Sequence, residues 1–131
     1  ANRLVGSEMC IRDRSYNVFL TPTGFGSVFL SIFSVTRPGD EIIVSDPLYN
    51  PTRNLSENYL KEFGIKTKFY NPHDLKSLEK SITSKTKLIY VECPGSNTFE
   101  FQDLKKVISI AIEITFFRSW NSKVLLPGHS T

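Results

Sequence analysis

Apolar positions recur at helical spacing over residues 25–35, where Phe25, Val28, Phe29, Ile32 and Phe33 share one side and Pro38-Gly39 closes the segment. The spacing predicts an amphipathic helix with a wide buried face. Residues 41–45, Glu-Ile-Ile-Val-Ser, form a short β-branched run of the kind that fills a strand covered on both faces, and a proline-containing loop follows over residues 46–51. Residues 51–63 return to helical spacing, with Leu55, Tyr59, Leu60 and Phe63 along one side and Gly64 placed for a left-handed C-terminal cap. Residues 65–70 then read as a strand and Asn71-Pro72 as a turn. Asp74 is placed to cap a short helix carrying Leu75, Leu78 and Ile82. Residues 87–92, Lys-Leu-Ile-Tyr-Val-Glu, read as a further buried strand, and a loop follows over residues 93–98. From Asp103 a last helix puts Leu104, Val107, Ile108 and Ala111 on one face. Strict alternation of helix and strand predicts an α/β fold with a largely parallel sheet.

The two ends fall outside this pattern. Residues 1–15 hold no usable period, and residues 114–131 lack the buried strand that should follow the last helix. The pattern therefore divides the chain into a non-native or disordered segment at 1–15, one ordered unit at 16–112, and an aberrant tail at 113–131. A chain of 131 residues, 40% hydrophobic and 22% charged, is ordinary for a soluble globular domain. Its net charge of +3 is small and its basic residues are scattered, which argues against a nucleic-acid partner. The apolar stretch at 25–35 is broken by Gly26, Ser27, Ser31 and Ser34 and is shorter than the roughly 18 residues of a membrane span, so no membrane anchor is expected. Cys10 and Cys93 stand far apart with no secretory hydrophobic region, which makes the cytoplasm the expected compartment. The cysteines have no metal-ligand spacing and His73 and His129 are isolated in sequence, so no metal is expected.

Three loops carry candidate chemistry. Thr21-Pro-Thr-Gly-Phe-Gly-Ser27 opens the first helix, and free N–H groups at a helix N-terminus suit a phosphate; a plain glycine-rich turn capped by Thr23 is the competing reading. Asp46-Pro-Leu-Tyr-Asn-Pro-Thr52 sets Tyr49 beyond the carboxyl end of a strand, where open α/β sheets bind ligands, and its ring has the size to stack on a planar group; a tyrosine packed on its own loop is the alternative. Glu92-Cys-Pro-Gly-Ser-Asn-Thr98 supplies hydroxyls and an amide at the next strand end, or is an ordinary Pro-Gly turn.

Taken together, in order and with their spacings, Thr21-Pro-Thr-Gly-Phe-Gly, the run from Pro38 to Arg53, and Leu88-Ile-Tyr-Val-Glu-Cys-Pro-Gly-Ser-Asn-Thr-Phe-Glu100 with Asp103 resemble the Cys/Met-metabolism pyridoxal-phosphate enzymes. The third loop is more similar to the cystathionine β-lyase branch than to γ-synthases and γ-lyases. The resemblance implies part of the large domain of a fold type I pyridoxal-phosphate transferase, a three-layer sandwich. It implies pyridoxal 5'-phosphate as cofactor, its phosphate held at Gly24 and Phe25, Tyr49 stacked over its ring, and Ser96 beside the ring. It also implies a sulfur amino-acid substrate, cleavage of cystathionine to homocysteine, pyruvate and ammonia, and a homotetrameric complete enzyme.

The sequence departs from the family after the last helix. The family's Asp-Asn-Thr-Trp run, source of the carboxylate at the ring nitrogen, has no counterpart between Glu113 and Thr131. Ser122-Lys-Val-Leu-Leu-Pro-Gly-His-Ser130 resembles a distorted copy of the family's Thr-Lys-Tyr-x-x-Gly-His-Ser segment, which would make Lys123 the lysine that carries the cofactor as a Schiff base. The interval from Lys123 to Gly128 is one residue longer than in the family, so an unrelated or frameshifted tail is the other reading. A fragment inactive on its own is the expectation. Another branch of the family and a non-catalytic α/β module for a phosphorylated ligand remain the alternatives.

Overall fold

Burial on both faces is the condition that a β-branched run satisfies best, and in the computed structural model, which describes residues 19–118, Glu41–Ser45 (β1) is buried at all five positions. It is the middle of a three-stranded parallel sheet, with β2 (Lys66–Tyr70) on one side and β3 (Thr86–Tyr90) on the other. The register runs Glu41 to Lys66 through Ser45 to Tyr70, and Ile42 to Leu88 through Val44 to Tyr90, with an irregularity at Lys87. As the outer strands of these three, β2 and β3 are less buried than β1, so the full burial expected of residues 87–92 is not reached.

Helices cover both faces. On one, Ile32 of α1 (Gly24–Val35), Leu48, Leu55 and Leu60 pack with Ile42 and Val44. On the other, Leu78 of α4 (Leu75–Ser81) and Val107 and Ile110 of α5 (Leu104–Arg118) pack with Ile43 and Tyr70. The result is the expected three-layer α/β sandwich. Asp74 caps α4 through its side chain, which accepts from Ser77 N at 3.2 Å.

The helical run after β1 departs from a simple amphipathic helix. It consists of α2 (Asn50–Asn54), a π-turn (Leu55–Tyr59) and α3 (Leu60–Glu62), and Leu60 N bonds to Leu55 O, a spacing of five. That wider turn brings Leu55 and Leu60 to the same buried face and turns Tyr59 outward, to 51% exposure. Phe63, also expected inside, packs edge-on against Phe33 with ring centroids 5.1 Å apart and stays half exposed. In α5 the buried pair is Val107 and Ile110, while Leu104 and Ile108 face out, because apolar residues lie on both sides of this helix and the sheet covers only one. The wide buried face expected of α1 is likewise only partly covered by the described residues: Ile32 is fully buried and Val28 and Phe33 are half-buried, but Phe25 and Phe29 are exposed.

Gly64 closes α3 at φ +71°, in the left-handed region, with an ideal Cβ only 3.4 Å from Pro38 Cβ. Its carbonyl accepts from Gly39 N at 2.8 Å, tying the end of this helix to the turn before β1. Gly64→Ala is expected to lower stability by about 1 kcal/mol, read as the shift in a urea unfolding midpoint; an unchanged midpoint would refute the need for glycine there.

Candidate functional site

The cleft begins at the N-terminus of α1. Thr23 caps this helix, its Oγ1 accepting from Gly26 N at 2.9 Å and its carbonyl from Ser27 N at 3.2 Å. The Thr21 hydroxyl donates to the Thr23 carbonyl at 2.8 Å and lies 2.6 Å from Ser27 Oγ, which fixes the turn that leads in. Capping leaves two of the first donors, Gly24 N–H and Phe25 N–H, without a partner among the described residues. Thr23 is thus the cap, and the two amides ahead of Gly26 stay open among the described residues. An ideal Cβ on Gly24 would meet no atom within 4 Å, so the space over this helix end is clear.

The second wall is the loop after β1. Arg53 holds it from one side: its Nη2 lies 2.7 Å from Asp46 Oδ1 and also donates to the Asp46 carbonyl, while Nη1 reaches Glu57 Oε1 at 2.9 Å. Hydrogen bonds to these two carboxylates raise the guanidinium pKa further above its ordinary value. The same guanidinium stacks over Phe69, 4.8 Å from the ring centroid. Tyr49 sits at the N-cap of α2, yet its side chain caps nothing, and it is 52% exposed.

The third wall is the loop after β3, fastened to the second loop through backbone and side chain alike. Glu92 N donates to Ser45 Oγ at 3.1 Å and Ser96 N to Pro47 O at 3.2 Å. Tyr49 N donates to Glu92 Oε2 at 3.1 Å, and Ser96 Oγ donates to Glu92 Oε1. Gly95 lies so close to Pro47 that an ideal Cβ would stand 2.7 Å from Pro47 Cβ. Gln102 supports this loop, accepting from the Tyr70 hydroxyl at 2.5 Å and donating to the Glu92 carbonyl at 3.2 Å. Burial pushes the Tyr70 phenol up to about 12, with Cys93 adding to the shift.

These walls enclose a cleft of about 540 Å³ lined by Thr23, Gly24, Phe25, Val28, Tyr49, Thr52, Tyr90, Glu92 and Ser96. It lies beyond the carboxyl ends of β1 and β3. There the chain, having placed β2 on one side of β1, crosses to place β3 on the other, the arrangement at which open parallel sheets bind ligands. Gly24, Phe25, Tyr49 and Ser96, expected from the sequence, all line this one cleft, whereas Lys123 lies outside the described residues. The sequence reading missed Glu92, Thr52 and Tyr90 as lining residues. Glu92 stands where the expected strand meets the third loop, of which the sequence points to the hydroxyls and the amide only; a carboxylate just before a Pro-Gly turn is the signal for it. Ser96 lines the cleft, but its hydroxyl is given to Glu92. The Tyr90 phenol is pushed up by burial and then by Glu92, with Thr52 acting in the opposite sense. His73, isolated in sequence, lies 3.2 Å from Glu100 Oε2.

A family model described as "Cys/Met metabolism PLP-dependent enzyme" matches residues 2–117. The chain belongs to this family. It is 35% identical over 108 residues to the L-methionine gamma-lyase of Pseudomonas deceptionensis, which covers 82% of this chain and 27% of the relative. It is 28% identical over 126 residues to the cystathionine beta-lyase of Haemophilus influenzae, covering 92% of this chain and 32% of the relative. A Campylobacter jejuni crystal structure carrying N'-pyridoxyl-lysine-5'-monophosphate superposes with a TM-score of 0.68 at 31% identity, covering 70% of this chain and 23% of that one. The chain spans about a quarter to a third of the length of the curated relatives it matches.

The family's cofactor is pyridoxal 5'-phosphate, and the residues present fit it. Two open amides at a helix N-terminus suit the phosphate, and an exposed aromatic across the cleft suits a flat ring. The lining has a positive end at α1 and a carboxylate at Glu92, a polarity that matches a ligand bearing a phosphate and a cationic ring.

Proposed function

We propose that the chain is part of the cofactor-binding domain of a pyridoxal-phosphate-dependent carbon–sulfur lyase of the cystathionine β-lyase type, converting cystathionine to homocysteine, pyruvate and ammonia. The observation that carries the proposal is convergence: Gly24, Phe25, Tyr49 and Ser96 come from three loops well apart in sequence and line one cleft. In this reading the Gly24 and Phe25 amides hold the cofactor phosphate, and Tyr49 covers one face of the ring and keeps water from it. Bound there, pyridoxal phosphate supplies the electron sink that lets a β-thiolate leave. Lys123 is the proposed amine for cofactor attachment and α-proton transfer. A complete enzyme of this kind is proposed to work as a cytoplasmic homotetramer.

Titration of the full 131-residue chain with pyridoxal phosphate, followed by absorbance and by equilibrium dialysis, is expected to show saturable binding at one site. Tyr49→Ala should weaken that binding about tenfold, the scale of one lost aromatic contact. Binding unaffected by Tyr49→Ala would remove the cleft from consideration. The keto acid released by a full-length version separates branches, with pyruvate expected and 2-oxobutyrate pointing to γ-cleavage. A second reading, a non-catalytic module for a phosphorylated ligand, is favoured by one observation: no lysine lines the cleft among the described residues. Retained phosphate-ligand binding without covalent attachment of the cofactor would support it.

A further inference from the structure

The geometry points to Glu92 as the positioning residue for the proposed cofactor site: its carboxylate sets the place of Tyr49 by holding the backbone of the second loop against the third. This inference rests on the cleft being the pyridoxal-phosphate site. Glu92 uses both oxygens across the cleft, Oε2 accepting from Tyr49 N at 3.1 Å and Oε1 from Ser96 Oγ. Both donors are neutral, and no lysine or arginine is among the described residues that line the cleft, so the carboxylate is placed by hydrogen bonds rather than by an ion pair. A bond to a backbone N–H differs in its consequence from a bond to a side chain. It fixes the peptide plane ahead of Tyr49, and with it the direction in which the ring leaves the chain.

Nothing else among the described residues bonds to the Tyr49 amide. Its own side chain makes no cap bond, and its ring is half exposed at the head of the helical run over residues 50–62. Arg53 holds the loop at Asp46, three residues upstream, and its backbone N–H donates to the Tyr49 carbonyl at 2.9 Å, which fixes the peptide after Tyr49 and not the one before it. Glu92 in turn is held independently of Tyr49: its N–H donates to Ser45 Oγ on the buried central strand, and its carbonyl accepts from Gln102, which Tyr70 anchors. The buried central strand therefore reaches the peptide ahead of the exposed ring through the Glu92 side chain, across 43 residues of sequence, beside the Ser96 N to Pro47 O bond that ties the same two loops.

The full chain and its Glu92→Ala and Glu92→Gln variants test this through two readouts. The first is hydrogen exchange of the Tyr49 amide in the ligand-free protein. The second is the pyridoxal-phosphate dissociation constant together with the circular-dichroism band that this achiral cofactor acquires when held against a protein. Glu92→Ala is expected to speed Tyr49 exchange and weaken cofactor binding by roughly tenfold or more, with the band lost or changed in sign. Glu92→Gln keeps a carbonyl oxygen for the Tyr49 amide and should restore most of both. Unchanged Tyr49 exchange in Glu92→Ala overturns the inference, as does failure of the glutamine variant to rescue. Should the alanine variant not fold, Glu92→Asp withdraws the carboxylate by one methylene with its charge kept, and the same two readouts decide. If exchange responds while no variant and not the parent chain binds pyridoxal phosphate, the site assignment fails and the hold on Tyr49 stands.

Discussion

Gly95→Ala is expected to weaken pyridoxal-phosphate binding by about 10- to 100-fold, the range that follows when site-forming groups are displaced by around 1 Å. The added Cβ would stand 2.7 Å from Pro47 Cβ, 2.8 Å from Pro47 Cγ and 3.1 Å from Pro47 O. None of these atoms belongs to a flexible chain end: the first two are in a ring and the third is backbone, so relief requires the loops themselves to part. Parting them stretches the Ser96 N to Pro47 O bond at 3.2 Å and moves Ser96 and Tyr49 away from each other across the cleft. The third loop also resists from its far side, since Gly95 N is held by Glu100 O at 2.8 Å and Gly95 O by Phe99 N at 2.9 Å. Overpacking of this kind costs about 1–3 kcal/mol in a packed interior, and less where a surface loop can shift. The variant should accordingly lose ligand affinity by a larger factor than its urea midpoint suggests. Equilibrium dialysis and a urea titration on the same preparation check this; a full loss of stability with unchanged affinity in the folded fraction would refute it.

That close approach was hidden in the sequence, where Pro94-Gly95 reads as a turn and only the fold reveals Pro47 opposite. What was legible had a local cause. The run Ile42-Ile43-Val44 permits little but a strand buried on both faces, Asp74 and Gly64 punctuate helices through chemistry confined to their own turns, and alternation of elements leads to a parallel three-layer fold. The site residues were legible for a different reason. Gly24, Phe25, Tyr49 and Ser96 sit in three loops whose wording and spacing resemble a family, and the fold brings those loops to the same strand ends. Properties decided by distant partners were not legible. The π-turn at Leu55–Tyr59 shifts one hydrogen bond by a residue with no mark in composition, and so turns Tyr59 out while Leu60 stays in the core. Glu92 gains its role only because Tyr49, 43 positions earlier, presents an amide to it. Which side of α5 is covered depends on the sheet and not on the helix, whose apolar residues would allow either.

The opposite end of the sheet should set the acid limit of the fold. Glu41, the first residue of β1, is 7% exposed; its Oε2 accepts from Lys68 Nζ at 2.7 Å and from Thr83 Oγ1 at 2.6 Å, while Lys66 Nζ lies 3.7 Å from Oε1. The Lys68 bond first, then that of Thr83, outweigh the cost of burial and hold the carboxyl at about 2, below an ordinary value of 4.5. A folded value below the unfolded one means that the stabilisation is complete above about pH 4.5 and is lost as pH falls from there towards 2. After allowance for solvent near the strand end, its size is on the order of 2 kcal/mol. Glu41→Gln removes the titrating group while keeping the shape, and should flatten the fall in urea-measured stability between pH 5 and pH 3 by roughly 1 kcal/mol, the part of that loss which falls in this window. Glu41→Ala goes further at neutral pH: Lys68, only 23% exposed, keeps Ser81 O at 3.0 Å but loses its counter-charge, with an expected cost of about 3 kcal/mol. Because Glu41 sits at the amino end of β1 and the cleft beyond the carboxyl end, Glu41→Gln should leave pyridoxal-phosphate affinity at pH 7 unchanged. An equal acid sensitivity in the parent and in Glu41→Gln would show that another carboxylate sets the limit, and a change in affinity would show that the two ends of the sheet are coupled.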